Sequence, residues 1–376
     1  MTGLLYWTFW ASLLLLAYVF VGYPAVIWLL ARLSPLPIRK REQYPSVSVI
    51  IVVHDAGRCI QAKLANLDTL NYPPEQIEII VACDGCTDST ARLVRGCGDP
   101  RVRLLEFPER RGKAACLNDA VAAARGKVLL LTDARQKLAP LALRELVANL
   151  ADPLVGAASG ELLLSDAETG FALGVDAYWH YEKLIRRSES ACGSTIGVTG
   201  AIYAMHRDLF QPLPPGTVLD DVLVPMRVAA RGYRVVFEPR ALAWDRVTQQ
   251  PVEERQRKIR TLAGNCQLIQ LAPWLLSPVK NPLWLRFVSH KLLRLLAPWL
   301  LLALAVTSAR LATDRLACAI TLALLLAGGS LVLLGQWLPP LGRWLPVRLS
   351  VAFFYLNLFA AQALLAFARN RRLHLW

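Results

Sequence analysis

The sequence predicts an α/β domain with a mostly parallel sheet, joined to α-helices that cross a membrane. From residue 44 to 245, short apolar runs alternate with amphipathic stretches, which is the pattern of alternating strands and helices. Four longer apolar segments flank this region and are long enough to cross a bilayer. Hydrophobic residues make up 55% of the 376 residues, more than a soluble domain usually carries, so we expect part of the chain in lipid.

The first predicted element is a membrane anchor at residues 1–33. The stretch from Leu4 to Leu30 holds no charged residue and leads into a basic flank that begins at Arg32. A cleaved signal peptide would start with basic residues and end in small ones, so we expect an uncleaved anchor. The positive-inside tendency places the basic flank and the domain that follows in the cytosol.

Residues 44–245 are predicted to form the α/β domain. Its apolar runs are continuous rather than alternating, which indicates strands buried on both faces, as in a parallel sheet covered by helices. The predicted strands are Ser46–Val53, Ile77–Cys83, Lys127–Thr132 and Val155–Gly160, and the predicted helices are Arg58–Leu70, Ser89–Arg95, Lys113–Arg125 and Ala139–Ala148. Ligands of such domains bind outside the carboxyl ends of the strands.

Residues 246–285 are predicted to form amphipathic helices on the membrane surface, because a charged stretch precedes an amphipathic one. Residues 286–376 predict about three membrane-spanning helices, near Phe287–Ser308, Leu316–Leu338 and Val347–Ala368. Ten Lys and Arg residues but one acidic residue lie between Asn281 and Trp376. Cations among apolar segments favour membrane lipids over nucleic acid as partners of this chain, whose net charge is +14. We expect a multi-pass protein of the cell (inner) membrane; the number of crossings and the side of the C-terminus stay open.

Polar residues follow three predicted strands at the point where each strand ends. His54 and Asp55 follow the first strand, Asp84 the second and Asp133 the third. Three aspartates at one sheet edge would repel each other unless a ligand supplies donors or cations. A nucleotide diphosphate meets this need, because its base and ribose donate hydrogen bonds and its phosphates bring a divalent metal ion.

Two further segments carry charged groups suited to chemistry. RRGK at residues 110–113 places cations and a glycine at the start of a predicted helix, which suits a diphosphate. Asp220 and Asp221 stand side by side where another helix begins after a Pro-rich loop. The pair could cap that helix, or one of its carboxylates could serve as a general base because neighbouring acids hold different pKa values.

The order and spacing of these motifs resemble the membrane-integrated members of the family 2 inverting glycosyltransferases. Similar proteins make cellulose, chitin, hyaluronan and poly-N-acetylglucosamine, the bacterial polysaccharide synthases among them. The resemblance runs from the first helix to the last apolar segment. It rests on VSVIIVVHDAG, NYPPEQIEIIVACDGCTDST, RRGKAACLNDA, LLLTDAR, VTGAIYAMHRDLF and LDDVLVPMRVAARGYRVVFEP.

The resemblance implies a Rossmann-like GT-A fold in the cytosol that binds a nucleotide sugar, most often a UDP-sugar. It implies that Asp84 contacts the base, Asp133 the ribose and metal region, and Lys113 the diphosphate. Asp221, beside Asp220, would take the proton of the acceptor hydroxyl as that hydroxyl attacks the anomeric carbon. The other expected site residues are His54, Asp55, Arg135, Arg257 and Arg260 on the nucleotide-sugar side, and Gly200, Tyr178 and Trp179 on the acceptor side. The two aromatic residues could instead dock their helix onto the membrane.

Two departures from the family pattern concern the nucleotide side. Asp55-Ala56 stands where Asn-Glu is usual, so one carboxylate contact to the base is missing or moved. Arg135 replaces the second carboxylate of the D-x-D motif and cannot bind a metal. Either Asp133 holds Mg²⁺ or Mn²⁺ with the diphosphate and water, or Arg135 partly replaces the metal. Arg135 could also face solvent or pair with the Asp220–Asp221 acids.

The third departure concerns the Q-x-x-R-W motif, which is linked with processive synthesis. Arg257 and Thr261 replace its Gln and Trp, whereas Arg260 is kept. Threonine cannot stack on a growing sugar chain, so we expect the addition of one sugar to a lipid-linked or glycan acceptor in cell-surface polysaccharide synthesis. Other exopolysaccharide-assembly proteins are expected partners. The alternatives are a processive synthase that exports its product and a catalytically inactive scaffold.

Overall fold

The computed structural model describes residues 2–165, 170–246, 251–338, 341 and 344–369, and within them eight strands form one sheet. The strands are β1 Val47–Val53, β2 Ile77–Asp84, β3 Val102–Phe107, β4 Val128–Thr132, β5 Lys137–Leu138, β6 Val155–Ser165, β7 Ile202–His206 and β8 Arg234–Arg246. Their order in the sheet is β3-β2-β1-β4-β7-β6-β8-β5.

The first half of the sheet is parallel and contains three of the four predicted strands, β1, β2 and β4. β1 pairs in parallel with β2 and β4, and β2 pairs in parallel with β3. All seven residues of β1 and all five of β4 are buried, as their continuous apolarity predicts. The helices that follow these strands in the chain are α3 Ile60–Asp68, α4 Thr90–Arg95 and α5 Lys113–Ala123, whereas α6 Ala142–Asn149 packs against β6, β7 and β8. The predicted α/β fold with a mostly parallel sheet is confirmed.

The second half of the sheet is mixed, and most of it was missed by the sequence analysis. β7 pairs antiparallel with β4 and β6, whereas β6 pairs in parallel with β8, with two register shifts. β8 is 13 residues long and contains Pro239 and five charged residues, so it lacks a continuous apolar run. β3, at the edge of the sheet, was missed for the same reason, because exposed charged residues interrupt its apolar ones. The helices α7 Gly170–Ala191 and α8 Asp220–Ala230 also pack against this half.

Among the residues that the structure describes, four helical stretches are long and apolar enough to cross a membrane, at the places where the sequence predicts spans. They are Thr2–Leu33, Trp284–Leu311, Leu316–Trp337 and Leu345–Arg369. The first comprises α1 Thr2–Ala17 and α2 Tyr23–Leu33 around a π-helical turn, Tyr18–Gly22. The second comprises α10 Trp284–Phe287, a π-helical turn Val288–Leu292 and α11 Leu293–Leu311, and α12 and α13 form the last two. The two stretches predicted for the membrane surface instead form one helix, α9 Pro251–Leu271, followed by a 3₁₀ turn, Pro273–Leu276.

A buried network of charges joins α7 to the apolar helices. The two ring nitrogens of His290 each lie 2.9 Å from a carboxylate oxygen, one of Glu182 and one of Glu189. The Tyr23 hydroxyl on α2 donates to Glu189, and Arg294 on α11 donates to Glu182. Buried carboxylates are costly unless they are paired. These contacts therefore fix α7, which lies beside the candidate site, against the start of the second apolar stretch.

Candidate active site

The turns after β1 and β2 hold each other through two aspartates. Asp55 Oδ1 accepts hydrogen bonds from the backbone N–H groups of Thr87 at 2.7 Å and Asp88 at 3.2 Å, and Asp88 accepts one from Gly57 at 2.9 Å. Asp55 has a φ of 49°, a left-handed conformation that Asp tolerates better than most residues. The hydrogen bond from Thr87 lowers the pKa of the Asp55 carboxyl. An ionised carboxylate therefore lies in the turn after β1.

Asp84 ends β2 and is completely buried. Its two oxygens accept hydrogen bonds from the backbone N–H of Arg111 at 2.6 Å and of Gly112 at 2.9 Å. Gly112 has a φ of 87°, which favours glycine, and His54 Nδ1 lies 2.7 Å from the backbone carbonyl of Asp84. The resemblance implied that Asp84 contacts the base. With both oxygens engaged by backbone N–H groups, this buried carboxylate holds the loop before α5, and a contact between Asp84 and the base stays a prediction.

Lys113 is the first residue of α5 and lies between carboxylates from two other elements. Its Nζ is 3.3 Å from Asp133 Oδ1 after β4 and 3.2 Å from Asp220 Oδ2 on α8. Burial acts to lower the pKa of Lys113, but Asp133, Asp220 and Asp221 outweigh that effect and raise it. The structure thus brings together one cation and the acids that the sequence analysis had placed on separate motifs.

Asp220 and Asp221 open α8 but face different surroundings. Asp220 is buried against Lys113, whereas Asp221 is partly exposed. Within α8, the N-cap position belongs to Leu219, which makes no side-chain cap hydrogen bond, so neither aspartate is the cap residue. A side chain added at Gly200 would place its Cβ 3.8 Å from Asp221 Oδ2, so Gly200 lies beside that carboxylate, and its acceptor-side role stays a prediction.

The pKa of Asp221 is raised to about 6. Burial is the largest cause, and the negative charge of Asp220 adds to it. Lys113, Lys291 and Arg186 act in the opposite direction and limit the rise. A carboxyl with a pKa near the working pH can both accept a proton and release it, which is the property that a general base needs.

Arg135 occupies the D-x-D position and points away from the Asp220–Asp221 pair. Its Nη2 lies 3.5 Å from Asp245 Oδ2 at the end of β8, and Gln136 Nε2 donates to the same oxygen at 2.7 Å. The guanidinium is about half exposed, with 54% of the side chain accessible. Of the arrangements left open by the sequence, pairing with Asp220 or Asp221 does not occur, and Asp245 is the partner.

Lys63 is a buried cation beneath the site that the sequence analysis missed. Only 2% of the residue is exposed, and its Nζ donates to Thr132 Oγ1 and to the Gln136 carbonyl, each at 2.8 Å. Burial lowers its pKa to about 7, although Asp133 acts to raise it. Lys63 therefore fixes the loop that carries Asp133 and Arg135. A lysine on the apolar face of α3 was the only sequence signal for it.

A divalent cation would find one suitable carboxylate here. The Asp133 side chain is 36% accessible to solvent and lies beside Lys113, and carboxylate oxygen is the donor that Mg²⁺ and Mn²⁺ prefer. Within the residues that the structure describes, no group of three or more His, Cys, Asp or Glu side chains could enclose a metal ion. Metals of this class are commonly held by one or two carboxylates together with substrate phosphates, so Asp133 fits a cation that arrives with a diphosphate.

The remaining predicted residues lie partly inside and partly outside the described site. Arg257 is exposed and Arg260 half-buried on α9. Burial and Arg257 lower the pKa of Arg260, whereas Asp220, Asp133 and Asp221 act to raise it, so Arg260 is near enough to these acids to sense their charge. The side chains of Tyr178 and Trp179 lie outside the described residues.

Comparisons with known proteins give one family and several relatives. A model described as "Glycosyltransferase like family 2" matches residues 45–264. The mannosyltransferase PcManGT from Pyrobaculum calidifontis, solved in complex with GDP-Man and Mn²⁺, is 27% identical with a TM-score of 0.71, over 96% of this chain and 98% of that chain. Together with the sheet described above, this likeness confirms the expected GT-A fold.

Curated relatives match a shorter region. The poly-beta-1,6-N-acetyl-D-glucosamine synthase of Staphylococcus aureus (strain COL) is 24% identical over 211 residues, which are 54% of this chain and 50% of the relative. The Staphylococcus epidermidis protein of that name is 22% identical over 245 residues, 62% of this chain and 58% of the relative. The chain thus spans about half the length of the curated relatives that it matches.

Proposed function

The chain belongs to glycosyltransferase family 2, and on that premise we propose that it moves a sugar from a nucleoside diphosphate sugar to a hydroxyl of a lipid-linked or glycan acceptor, on the cytosolic side of the cell membrane. The observation that carries this proposal is the contact of Lys113 with Asp133 and Asp220, beside a partly exposed Asp221. One cation suited to a diphosphate and one carboxylate suited to a hydroxyl proton meet in a single cleft.

In the proposed reaction the acceptor hydroxyl oxygen attacks the anomeric carbon of the donor sugar. The bond from that carbon to the diphosphate oxygen breaks, and the nucleoside diphosphate leaves with the electron pair. Asp221 accepts the hydroxyl proton as the new bond forms, and attack from the opposite face inverts the anomeric configuration. Lys113 and Arg260 stabilise the negative charge that develops on the leaving diphosphate.

Three other groups prepare the cleft for this step. Asp55 supports the rim of the nucleotide pocket, Asp84 fixes the loop that leads to Lys113, and Lys63 fixes the loop of Asp133. Asp133 is the residue that would hold a divalent cation, which neutralises phosphate charge when it is bound. The Mn²⁺ in the complex of PcManGT supports this assignment. Arg135, held by Asp245, adds a fixed positive charge at the same loop.

A donor screen tests the proposal. The full-length protein in detergent is given UDP- and GDP-sugars, and release of the nucleoside diphosphate is measured with and without a chelator. We expect one donor to be hydrolysed, a loss of about tenfold or more on chelation, and recovery with Mn²⁺. Absence of turnover with every donor would contradict the transferase proposal. Full activity with chelator would instead assign the stabilisation of the phosphate charge to the protein's own cations, Lys113, Arg135 and Arg260.

Product length separates single addition from processive synthesis. Thr261 lies on α9 and its hydroxyl donates to the Arg257 carbonyl at 2.9 Å within the same helix, so it offers no flat surface to a sugar chain. We therefore expect a radiolabelled donor and an acceptor glycolipid to give a product one sugar longer. A ladder of longer products would support the processive alternative.

The pH dependence of transfer should follow Asp221. A general base acts in its ionised form, so kcat/KM should fall as the pH drops below the Asp221 pKa of about 6. At pH 5 a carboxyl of this pKa is mostly protonated, and we expect kcat/KM to be about tenfold below its value at pH 7. In Lys113→Gln the acid limb of the residual activity should shift to a higher pH. Lys113 lowers the Asp221 pKa, so removing its charge lets that pKa rise. A flat profile from pH 5 to 7 would contradict the assignment.

A further inference from the structure

Two cysteines flank the Asp84-Gly85 pair where β2 ends. Cys83 is completely buried and belongs to the apolar cluster on one face of the sheet, and the half-buried Cys86 packs against the same cluster. The proposed reaction uses neither thiol. Among the residues that the structure describes, no group of three or more His, Cys, Asp or Glu side chains could hold a metal ion, so a metal site does not explain the pair.

The turn after β2 brings the two thiols to one place. Gly85 has a φ of 60°, a left-handed conformation that favours glycine, and the chain bends there. Cys86 Sγ lies 3.6 Å from the Val53 carbonyl oxygen, and Val53 is the β1 residue that pairs with Cys83. A disulfide needs Cα atoms within about 7 Å of each other, and the first and fourth residues of a tight turn meet this requirement.

The two thiols differ in reactivity. The hydrogen bond from the Cys83 thiol lowers the pKa of the Cys86 thiol, although burial acts in the opposite direction. The same hydrogen bond, together with burial, raises the pKa of the Cys83 thiol. Because the thiolate is the reactive form of cysteine, the more accessible Cys86 is suited to react first. Cys83, buried beside it, is suited to close a disulfide with it.

The turn that carries these cysteines contacts two parts of the candidate site. On one side, the backbone N–H groups of residues 87–88 hold Asp55. On the other side Gly85 lies against the loop before α5, since a Cβ added there would be 2.7 Å from the Arg110 backbone nitrogen. That loop leads to Lys113, the first residue of α5. A covalent bond between the two cysteines would tighten the turn and therefore change both contacts.

We propose that Cys83 and Cys86 form a reversible disulfide, and that this modification lowers the affinity of the site for the nucleoside diphosphate of its donor. The disulfide follows from the cysteines alone, whereas its effect rests on the proposed function, whose regulation it supplies. On the cytosolic side of a membrane thiols are mostly reduced, and disulfides there are usually transient and catalytic or redox-sensing. This disulfide makes sugar transfer depend on the redox state of the cell.

The oxidant is a disulfide of low molecular weight, and the step is a thiol–disulfide exchange. The Cys86 thiolate attacks one sulfur of that disulfide, and the other sulfur leaves as a thiolate. The Cys83 thiol then loses its proton, and its sulfur attacks the Cys86 sulfur of the mixed disulfide, which releases the second small thiolate. The two protein thiols thereby lose two electrons and two protons, which convert the small disulfide into two thiols.

Mass spectrometry tests the disulfide. The full-length protein in detergent is treated with glutathione disulfide, its remaining thiols are blocked with N-ethylmaleimide, and it is digested with trypsin. The tryptic peptide of residues 64–92 contains Cys83 and Cys86 but no other cysteine. We expect this peptide to lose two hydrogen atoms, to take up no maleimide, and to regain both thiols with dithiothreitol. Two maleimide-blocked thiols, a stable glutathione adduct or a link to Cys59 would overturn the inference.

Two variants control this measurement, and thermal unfolding checks that both are folded. Cys86→Ser leaves Cys83 without its partner, so the peptide that has lost two hydrogen atoms should not appear. Cys97→Ser removes an exposed cysteine that lies after α4, and it should form the disulfide as the wild type does. Loss of the disulfide in a folded Cys97→Ser would show that Cys97 relays the oxidation, which would contradict the direct exchange.

Nucleotide binding tests the effect of the disulfide. The Kd values for UDP and GDP are measured for the reduced and the oxidised protein. We expect the nucleotide that the reduced protein binds to be held at least about fivefold more weakly after oxidation, with recovery in dithiothreitol. In Cys86→Ser the oxidant should leave the Kd unchanged. An unchanged Kd in wild-type protein that carries the disulfide would overturn the regulatory role.

Donor hydrolysis by the reduced wild-type protein separates the two proposals. Hydrolysis by a protein that forms no disulfide between Cys83 and Cys86, or whose Kd ignores that disulfide, defeats this inference alone. Absence of hydrolysis with every donor defeats the proposed function, whereas the mass of the peptide still decides whether the disulfide forms.

Discussion

Replacing Asp221 by Asn should lower sugar transfer by about a thousandfold and leave nucleotide binding unchanged within about twofold. The amide is close in size to the carboxylate but cannot accept the hydroxyl proton. Asp221 is also the partly exposed member of the pair, with Gly200 against it, so the change removes a reactive group without opening the core. Transfer from the donor identified in the screen, and binding of its nucleoside diphosphate, are the two measurements.

Asp208→Asn is the matched control for this experiment. Asp208 is an exposed acid in the turn after β7, away from Lys113, so its variant should transfer sugar at the rate of the wild type. Equal losses in both variants would indicate a general effect on the protein. Transfer by Asp221→Asn at more than about a tenth of the wild-type rate would contradict the role of Asp221 as general base.

Replacing Lys113 by Gln should have the second-largest effect, a fall in kcat/KM of about a hundredfold or more. The variant would leave Asp133, Asp220 and Asp221 facing each other without the cation between them, and a donor diphosphate would add further negative charge. Both a weaker affinity for the nucleoside diphosphate and a slower transfer are therefore expected. The measurement is kcat and KM for the donor, with binding of the nucleoside diphosphate as an independent readout.

The control for Lys113 is a lysine at the start of β4, which is the end of that strand opposite Asp133. Lys127 is exposed and precedes β4, the strand that ends near Asp133, so Lys127→Gln should leave kcat and KM unchanged. Thermal unfolding of both variants checks the fold. Wild-type donor affinity in a folded Lys113→Gln would show that Lys113 serves only to neutralise the acids, and would contradict its assignment to the diphosphate.

The sequence predicted the parallel half of the sheet because burial leaves a direct mark on composition. β1, β2 and β4 are covered on both faces and are therefore continuously apolar. Polar residues at their carboxyl ends then had to meet at one edge, which is how Asp55, Asp84 and Asp133 could be placed at the same edge of the sheet. The apolar helices were equally predictable from the sequence, because a helix that crosses a bilayer needs a long uncharged segment.

The antiparallel half and several partners could not be predicted from composition. β8 pairs with β6 through backbone hydrogen bonds, although it contains Pro239 and several charged residues that hide it from a search for apolar runs. The contact of Arg135 with Asp245 joins residues more than a hundred positions apart, and local patterns hold no information on such distances. Asp84 has the same sequence context whether its carboxylate points to a base or to the Arg111 and Gly112 N–H groups. The path of the loop before α5 determines which of these groups the Asp84 carboxylate meets.

The proposed reaction requires one site that holds the donor diphosphate at Lys113 and the acceptor hydroxyl at Asp221. Determining the structure of the full-length protein with its donor nucleoside diphosphate sugar tests this directly, with Asp221→Asn used to prevent turnover. We expect the diphosphate against Lys113 and Asp133, with the anomeric carbon facing residue 221 across a space of about one hydroxyl group. A nucleotide bound elsewhere, or an anomeric carbon turned away from residue 221, would contradict it.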